Sequence, residues 1–136
     1  MELLCQLFVY GTLKPGERAF ASLCQPFVRA TQPAQVRGRL YHLPLGYPAM
    51  TLELGWVQGV WLTFPSQKPL SAIDAFEDYY PDRPEDSDYH RHRHPVYDLN
   101  QQPLGLAWVY TMTRDRVVAL GGQWLPEGRW TQTQAP

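Results

Sequence analysis

The sequence has no long apolar run, no excess of one charge and no basic segment at its N-terminus. Its apolar stretches, such as Leu7–Tyr10 and Trp61–Phe64, fall far short of the roughly 20 residues that a membrane-spanning helix needs. Its formal net charge is −1, from 12 Lys and Arg against 13 Asp and Glu, which argues against a nucleic-acid-binding face. The N-terminus lacks the basic segment that opens a signal peptide. We therefore expect a cytoplasmic protein, a monomer or weak dimer, that binds neither nucleic acid nor membrane.

Signatures of covalent catalysis are also absent. The two cysteines, Cys5 and Cys24, match no disulfide framework and no spacing of metal ligands, so we expect free, half-buried thiols. Neither cysteine, nor any serine, lies in the strand–turn–helix signature of a nucleophile elbow. An enzyme built on this sequence is expected to use a single acid–base group rather than a triad.

Proline, glycine and aromatic residues are abundant and favour β structure with many turns. There are 13 Pro and 10 Gly, and 13% of the residues are aromatic. Strands are predicted at 6–10, 35–43, 56–64, 89–99 and 104–113, and helices at 17–25 and 69–79. Because strands flank the main helix without regular alternation, the pattern predicts an α+β fold whose small mixed sheet is closed or strongly curled. We expect one domain over 1–126 and a polar, fraying tail over 127–136.

The loop that leaves the first strand, Tyr10–Gly16, is the first candidate for a binding site. A loop with Gly11 and Gly16 can point successive backbone N–H groups into one concavity, which binds carboxylates or phosphates. It is not a Walker loop, because Lys14 precedes Pro15 rather than Ser or Thr. A glycine after a strand can equally serve the turn alone, so both interpretations stay open. Gly59, inside a predicted strand, marks a bulge or a close backbone approach.

Glu77 is the second candidate, because it lies on the apolar face of the main predicted helix with Ile73 and Phe76. Desolvation would raise the pKa of such a carboxyl group and make it a better proton acceptor near neutral pH. The alternative is that Glu77 reaches the helix rim and pairs with an arginine. Asp74 and Asp78 fall on a neighbouring strip and are predicted to be solvated.

Histidines alternate with arginines after Tyr89. In a strand His90, His92 and His94 share one face, which could hold zinc or copper, but no carboxylate or cysteine at a settled spacing completes a site. A polar, exposed strand face is the other interpretation. Arg91, on the opposite face beside Tyr89, is expected to point inward and orient a buried anion.

These features together resemble one known family. Phe8–Gly16 resembles the opening Tyr-Gly-Ser/Thr-Leu signature of the gamma-glutamylcyclotransferase-like proteins, which include gamma-glutamylamine cyclotransferases and AIG2-like proteins. Further segments are similar to family motifs in the same order: Arg37–Tyr41, Gly46–Ala49, Val57–Trp61, Leu70–Tyr79, Tyr89–Arg91 and Ala107–Tyr110. The resemblance covers roughly residues 5–124. One departure is Asp78, which stands where many members have glycine.

The resemblance implies a small β-barrel with a pocket at one end and a reaction of the acyltransferase or lyase type. A γ-glutamyl amine or γ-glutamyl amino acid would become 5-oxoproline and a free amine, without cofactor or metal. Glu77 would be the general base and acid, and Tyr10, Gly11, Thr12 and Leu13 would bind the substrate. Weaker correspondences assign pocket lining or support to these residues: Tyr47, Tyr79, Arg91 and Tyr110. The alternative is a non-catalytic small-molecule-binding member of the same fold. The pocket for the departing amine is expected in the loops 46–54 and 82–88.

Overall fold

A computed structural model describes residues 4–131 of the chain. Its strands are β1 (Cys5–Val9), β2 (Ala30–His42), β3 (Pro48–Phe64), β4 (His90–Tyr97), β5 (Pro103–Thr111) and β6 (Gln123–Trp124). Its α-helices are α1 (Phe20–Leu23), α2 (Leu70–Phe76) and α3 (Arg114–Ala119), and a 3-10 helix spans Pro84–Asp86. No helix in this part of the chain is long and apolar enough to span a membrane.

The strands form a closed, mixed β-barrel. The sheet order is β3-β1-β5-β4-β2-β6, and an additional pairing of β2 with β3 closes the ring of β1 to β5. β1 runs parallel to β5, whereas the other pairings are antiparallel. The predicted α+β fold with a closed or strongly curled sheet is therefore confirmed.

The β2–β3 hairpin supplies much of the barrel wall. It pairs from Ala30 opposite Thr63 to His42 opposite Pro48, with one register shift between Arg37 and Arg39. A Cβ atom at Gly59 would lie 2.2 Å from the carbonyl oxygen of Val9. The predicted close approach at Gly59 is thus confirmed, because only glycine lets β1 and β3 come this near.

Two apolar clusters fill the two sides of the barrel wall. One cluster contains residues of β1 to β5 and none of a helix, so it occupies the interior of the barrel. Its fully buried members include Phe8, Val36 and Met50. The other packs the outer faces of the strands against the helices, with Leu7 and Ile73 fully buried in it. Alternation along β1 divides neighbouring residues between these two clusters.

Several predicted boundaries are corrected by the structure. The segment Pro48–Leu54 belongs to β3 and is not a loop, and the helix Arg114–Ala119 was not predicted. The expectation that the chain frays beyond 127 is wrong for its described part. Trp130 is completely buried in the barrel interior, where its indole Nε1 donates to His42 Nδ1 at 3.0 Å. Residues 132–136 lie outside the described residues.

Candidate active site

A cavity of about 200 Å³ lies where the end of β1, the end of α2 and strand β5 meet. Of the predicted site residues, these line it: Tyr10, Gly11, Thr12, Leu13, Tyr47, Glu77 and Tyr110. Tyr79 and Arg91 are not among the lining residues. Both lie behind the cavity wall, where the Tyr79 ring packs edge-on against Tyr110 at 6.4 Å between centroids.

Glu77 occupies the cavity because α2 ends at this residue. The Glu77 amide donates to Ile73 O at 2.9 Å, and two later amides close the helix: Asp78 N–H to Ala75 O at 3.2 Å and Tyr79 N–H to Asp74 O at 2.9 Å. This pair of bonds is a Schellman cap, which needs a left-handed residue after the helix. Asp78 adopts φ 54°, a left-handed conformation that glycine takes at the lowest cost.

The Glu77 side chain is half-buried at the cavity, and its carboxyl group has no hydrogen-bond partner among residues 4–131. Burial raises its pKa to about 8, and the negative charge of Asp74 adds to the effect. The Glu77 charge in turn contributes to raising the pKa values of Tyr10, Tyr89 and the Cys24 thiol, which burial mainly raises. The alternative in which Glu77 pairs with an arginine at the rim is therefore wrong.

Asp74 is the arginine-paired carboxylate instead. It is 7% exposed, not solvated as predicted, and it accepts two hydrogen bonds from Arg91, from Nε at 2.8 Å and from Nη2 at 3.1 Å. The Tyr110 hydroxyl also donates to it at 2.6 Å. Arg91 therefore points inward to a buried anion as predicted, and that anion is a side chain of the protein. The Arg91 guanidinium lies 4.3 Å from the centre of the Trp108 ring, which holds it in place.

The turn after β1 lines the cavity and has free backbone amides. Among the described residues no acceptor takes the N–H groups of Gly11, Thr12 and Leu13, although Lys14 N–H donates back to Gly11 O at 3.0 Å. A Cβ atom at Gly11 would lie 2.6 Å from Pro48 Cγ, so only glycine brings the turn this close to β3. Free amides in a concave turn are suited to binding an anion.

Two buried tyrosines connect this turn with the strands around it. The Tyr10 hydroxyl donates to Tyr110 O at 2.6 Å and accepts from Met50 N–H at 3.3 Å. The Tyr89 hydroxyl donates to Pro48 O at 2.7 Å. Tyr89 was missing from the predicted site, although its place two residues before Arg91 put it on the same strand face. Asp74 was missed because helical spacing alone cannot show an inward-facing partner on another strand.

The remaining candidate residues lie apart from the cavity. Both cysteines are free and buried. The three histidines share a strand face, with ring centroids 6.3 Å apart for His90 and His92 and 5.9 Å apart for His92 and His94. In the part of the chain that the structure describes, no group of three or more His, Cys, Asp or Glu is arranged to hold a metal ion.

Fold and cavity together define a class of protein, a closed mixed barrel whose cavity sets an unpaired carboxyl group against free amides. The chain belongs to the family described as gamma-glutamyl cyclotransferase, AIG2-like, whose model matches residues 7–132. It is similar to gamma-L-glutamyl-butirosin B gamma-glutamyl cyclotransferase from Niallia circulans, with 31% identity over 109 residues, 80% of this chain and 67% of the relative.

Solved structures share the fold. YkqA from Bacillus subtilis superposes with a TM-score of 0.67 at 20% identity, covering 94% of this chain; the chain spans only 40% of the YkqA chain. An AIG2-like protein from Mus musculus superposes with a TM-score of 0.63 at 21% identity, over 80% of this chain and 77% of the mouse chain. At these identities the likeness establishes the fold alone.

Proposed function

We propose that this protein is a gamma-glutamyl cyclotransferase that converts a γ-glutamyl amine or amide to 5-oxoproline and a free amine, with Glu77 as the proton acceptor and donor. The family and the 31% identical cyclotransferase support an activity of this kind. The most direct structural support is the combination, in one cavity, of an unpaired carboxyl group with a turn of free amides.

A γ-glutamyl group carries an α-carboxylate, an α-ammonium and a γ-carbonyl within a few bonds. In the proposed complex the amides of Gly11, Thr12 and Leu13 take the α-carboxylate, because unused N–H donors in a concave turn favour an anion. The α-ammonium then faces Glu77 across the cavity. Holding both ends favours the folded rotamer in which the amine nitrogen approaches the γ-carbonyl carbon, and such positioning accelerates ring closure.

The raised pKa of Glu77 suits the first proton transfer. An α-amine has a pKa of about 7.7–8.0, so most of it is protonated at pH 7 and cannot attack. An ordinary glutamate, with a pKa near 4.3, would take this proton at a cost of about 5 kcal/mol. A pKa of about 8 removes nearly all of that cost, since donor and acceptor are matched.

The bond changes then balance without water or a second reactant. The neutral α-nitrogen forms a bond to the γ-carbonyl carbon and gives a tetrahedral intermediate. The bond from that carbon to the departing nitrogen breaks as the proton that Glu77 holds passes to this nitrogen. Glu77 then takes the surplus proton of the new ring nitrogen and passes it to the departing amine, which leaves as an ammonium ion. Glu77 returns to its starting state, so one residue serves as base and then as acid.

The test is a Glu77→Gln variant assayed for 5-oxoproline release from a panel of γ-glutamyl amines and dipeptides. Gln keeps the shape of the side chain but holds no transferable proton, so we expect turnover to fall by at least about 10²-fold with the fold intact. Glu127→Gln, at an exposed position outside the lining, is the matched control and should keep full activity. Full turnover by the Glu77 variant would refute the mechanism. Thermal stabilisation by γ-glutamyl ligands without turnover in the wild type would favour the non-catalytic alternative.

A further inference from the structure

Charged residues of both signs line the cavity. Arg18 lines it next to Ala19, whose amide donates to Thr12 O at 3.0 Å, so Arg18 adjoins the turn with the free amides. Asp78, which follows Glu77, and Asp88 also line the cavity, and the Asp88 amide donates to Asp78 O at 3.0 Å. Arg18 and the free amides match the substrate's α-carboxylate, which leaves the two aspartates for another part of the ligand.

The two aspartates are the ends of an acidic segment that joins α2 to β4. From Asp78 to Asp88 the sequence has five acidic residues against one arginine, a net charge of −4 in a chain whose net charge is −1. Both ends of this segment line the cavity, so its carboxylates contribute negative potential there. The Tyr47 hydroxyl is influenced by these carboxylates. Burial raises its pKa, and the charges of Asp88, Asp78 and Glu77 raise it further, whereas the charge of Arg116 lowers it.

The existing partners of the two aspartates leave most of this charge available. Asp88 pairs with Arg116 Nη2 at 3.1 Å, but the Arg116 side chain is 50% exposed, and exposed ion pairs of this kind contribute little free energy. Asp78 accepts a hydrogen bond of 2.6 Å from the Tyr80 hydroxyl, a neutral donor that does not cancel the charge. A cationic ligand group would find both carboxylates within the lining.

The same part of the cavity offers apolar contact. The ring of Phe76, 44% exposed, and the ring of Tyr47 belong to the lining with the aspartates. Aromatic walls pack against methylene groups, and their faces also attract a cation. An aliphatic chain that ends in an ammonium group fits both properties, whereas a chain that ends in a carboxylate would meet like charge.

We propose that the departing amine carries a second positive charge, as an alkyl diamine does, and that Asp78 and Asp88 select it. This inference rests on the proposed function for the position of the γ-glutamyl group. It predicts that a γ-glutamyl diamine is preferred to a γ-glutamyl amine with a neutral end, and that a γ-glutamyl compound ending in a carboxylate is disfavoured.

The experiment compares three γ-glutamyl amides of 1,5-diaminopentane, pentylamine and 6-aminohexanoate, which differ at the far end in ammonium, methyl and carboxylate. Dissociation constants are measured on the Glu77→Gln variant, so that the outcome does not depend on turnover. At low salt we expect about tenfold tighter binding of the diamine compound than of the pentylamine compound, falling as ionic strength rises. Asp88→Asn and Asp78→Asn, each added to that variant, should each reduce the preference to about threefold. Glu127→Gln, exposed and outside the lining, should leave it unchanged.

The outcomes separate the two proposals. Equal affinity for the three compounds, tighter binding of the carboxylate compound, or no binding of any compound would overturn the charge selection. Preferred binding of the diamine compound, together with no release of 5-oxoproline by the wild type, would support the charge selection and overturn the proposed function. Arg116→Gln gives an independent check, because removing the partner of Asp88 should strengthen the preference.

Discussion

Replacing Glu77 by Gln is expected to stabilise the protein, and increasingly so as the pH rises. The folded pKa of Glu77 is about 8, whereas an unfolded glutamate titrates near 4.3. Between these values the native state binds more protons than the unfolded state, so the free energy of unfolding of the wild type falls as pH rises. Below about pH 4 the carboxyl group is neutral in both states and costs no stability. As the pH rises from there to about 8, the free energy of unfolding falls, because the unfolded state ionises more readily. Gln does not titrate and avoids this loss.

The structure sets the size of the effect. A shift from 4.5 to about 8 is 3.5 pKa units, and at about 1.36 kcal/mol per unit the ceiling is about 5 kcal/mol above pH 8. Glu77 is half-buried and borders a cavity that opens to solvent, which screens part of its charge. We therefore expect the Glu77→Gln variant to gain ~2–3 kcal/mol relative to the wild type between pH 5 and pH 9.

Urea unfolding at constant ionic strength, at each pH from 5 to 9, measures this difference directly. Glu85→Gln is the stability control, because its side chain is exposed in the 3-10 helix; its difference from the wild type should stay within about 0.5 kcal/mol at every pH. If the Glu77→Gln difference is as flat as that of the control, the carboxyl group reaches bulk water, and the matched proton transfer in the proposed mechanism has no basis.

Three further substitutions test other parts of the site and fold. Gly11→Ala places a Cβ atom 2.6 Å from Pro48 Cγ, so calorimetry should show about tenfold weaker 5-oxoproline binding, and unchanged affinity would contradict the tight turn. Asp74→Asn leaves the Arg91 guanidinium without its buried counter-charge and should cost about 3–5 kcal/mol in urea unfolding; a loss below 1 kcal/mol would show that the pair contributes little. Trp130→Ala empties a fully buried site and should cost about 3–5 kcal/mol, whereas a negligible loss would return the chain end to a fraying tail.

Much of the barrel was predictable because its strands carry their own local signals. Apolar alternation and breakers placed all five barrel strands, and Gly59 marked the point where β1 and β3 touch. The bounds were less accurate: β2 and β3 are longer than predicted, because pairing across the hairpin extends both strands through residues with weak strand preference. The helix at Arg114–Ala119 is short and has only one buried residue, Val117, which leaves almost no periodic pattern to detect.

The candidate site also contains residues that local sequence could predict and residues that it could not. Glu77 and the turn at Gly11 could be singled out because each breaks a local rule, a carboxyl group on an apolar helix face and a glycine at a strand end. Asp74 could not, since its burial depends on Arg91 and Tyr110, which arrive from β4 and β5. The paired and the unpaired carboxyl group are only three positions apart in the chain, and local spacing left two alternatives for Glu77 and wrongly predicted a solvated Asp74.

By itself the sequence determined the type of the five barrel strands and of α2, the glycine turn after β1, and the glutamate at the end of α2 as a candidate. These properties depend on neighbours within a few residues, so periodicity and turn chemistry reveal them. The tertiary structure alone decided which carboxyl group is paired with an arginine and which is left without a partner, that two aspartates line the cavity, and that Trp130 completes the interior. Each of these depends on contacts between residues distant in the chain, and the closure of the barrel brings those residues together.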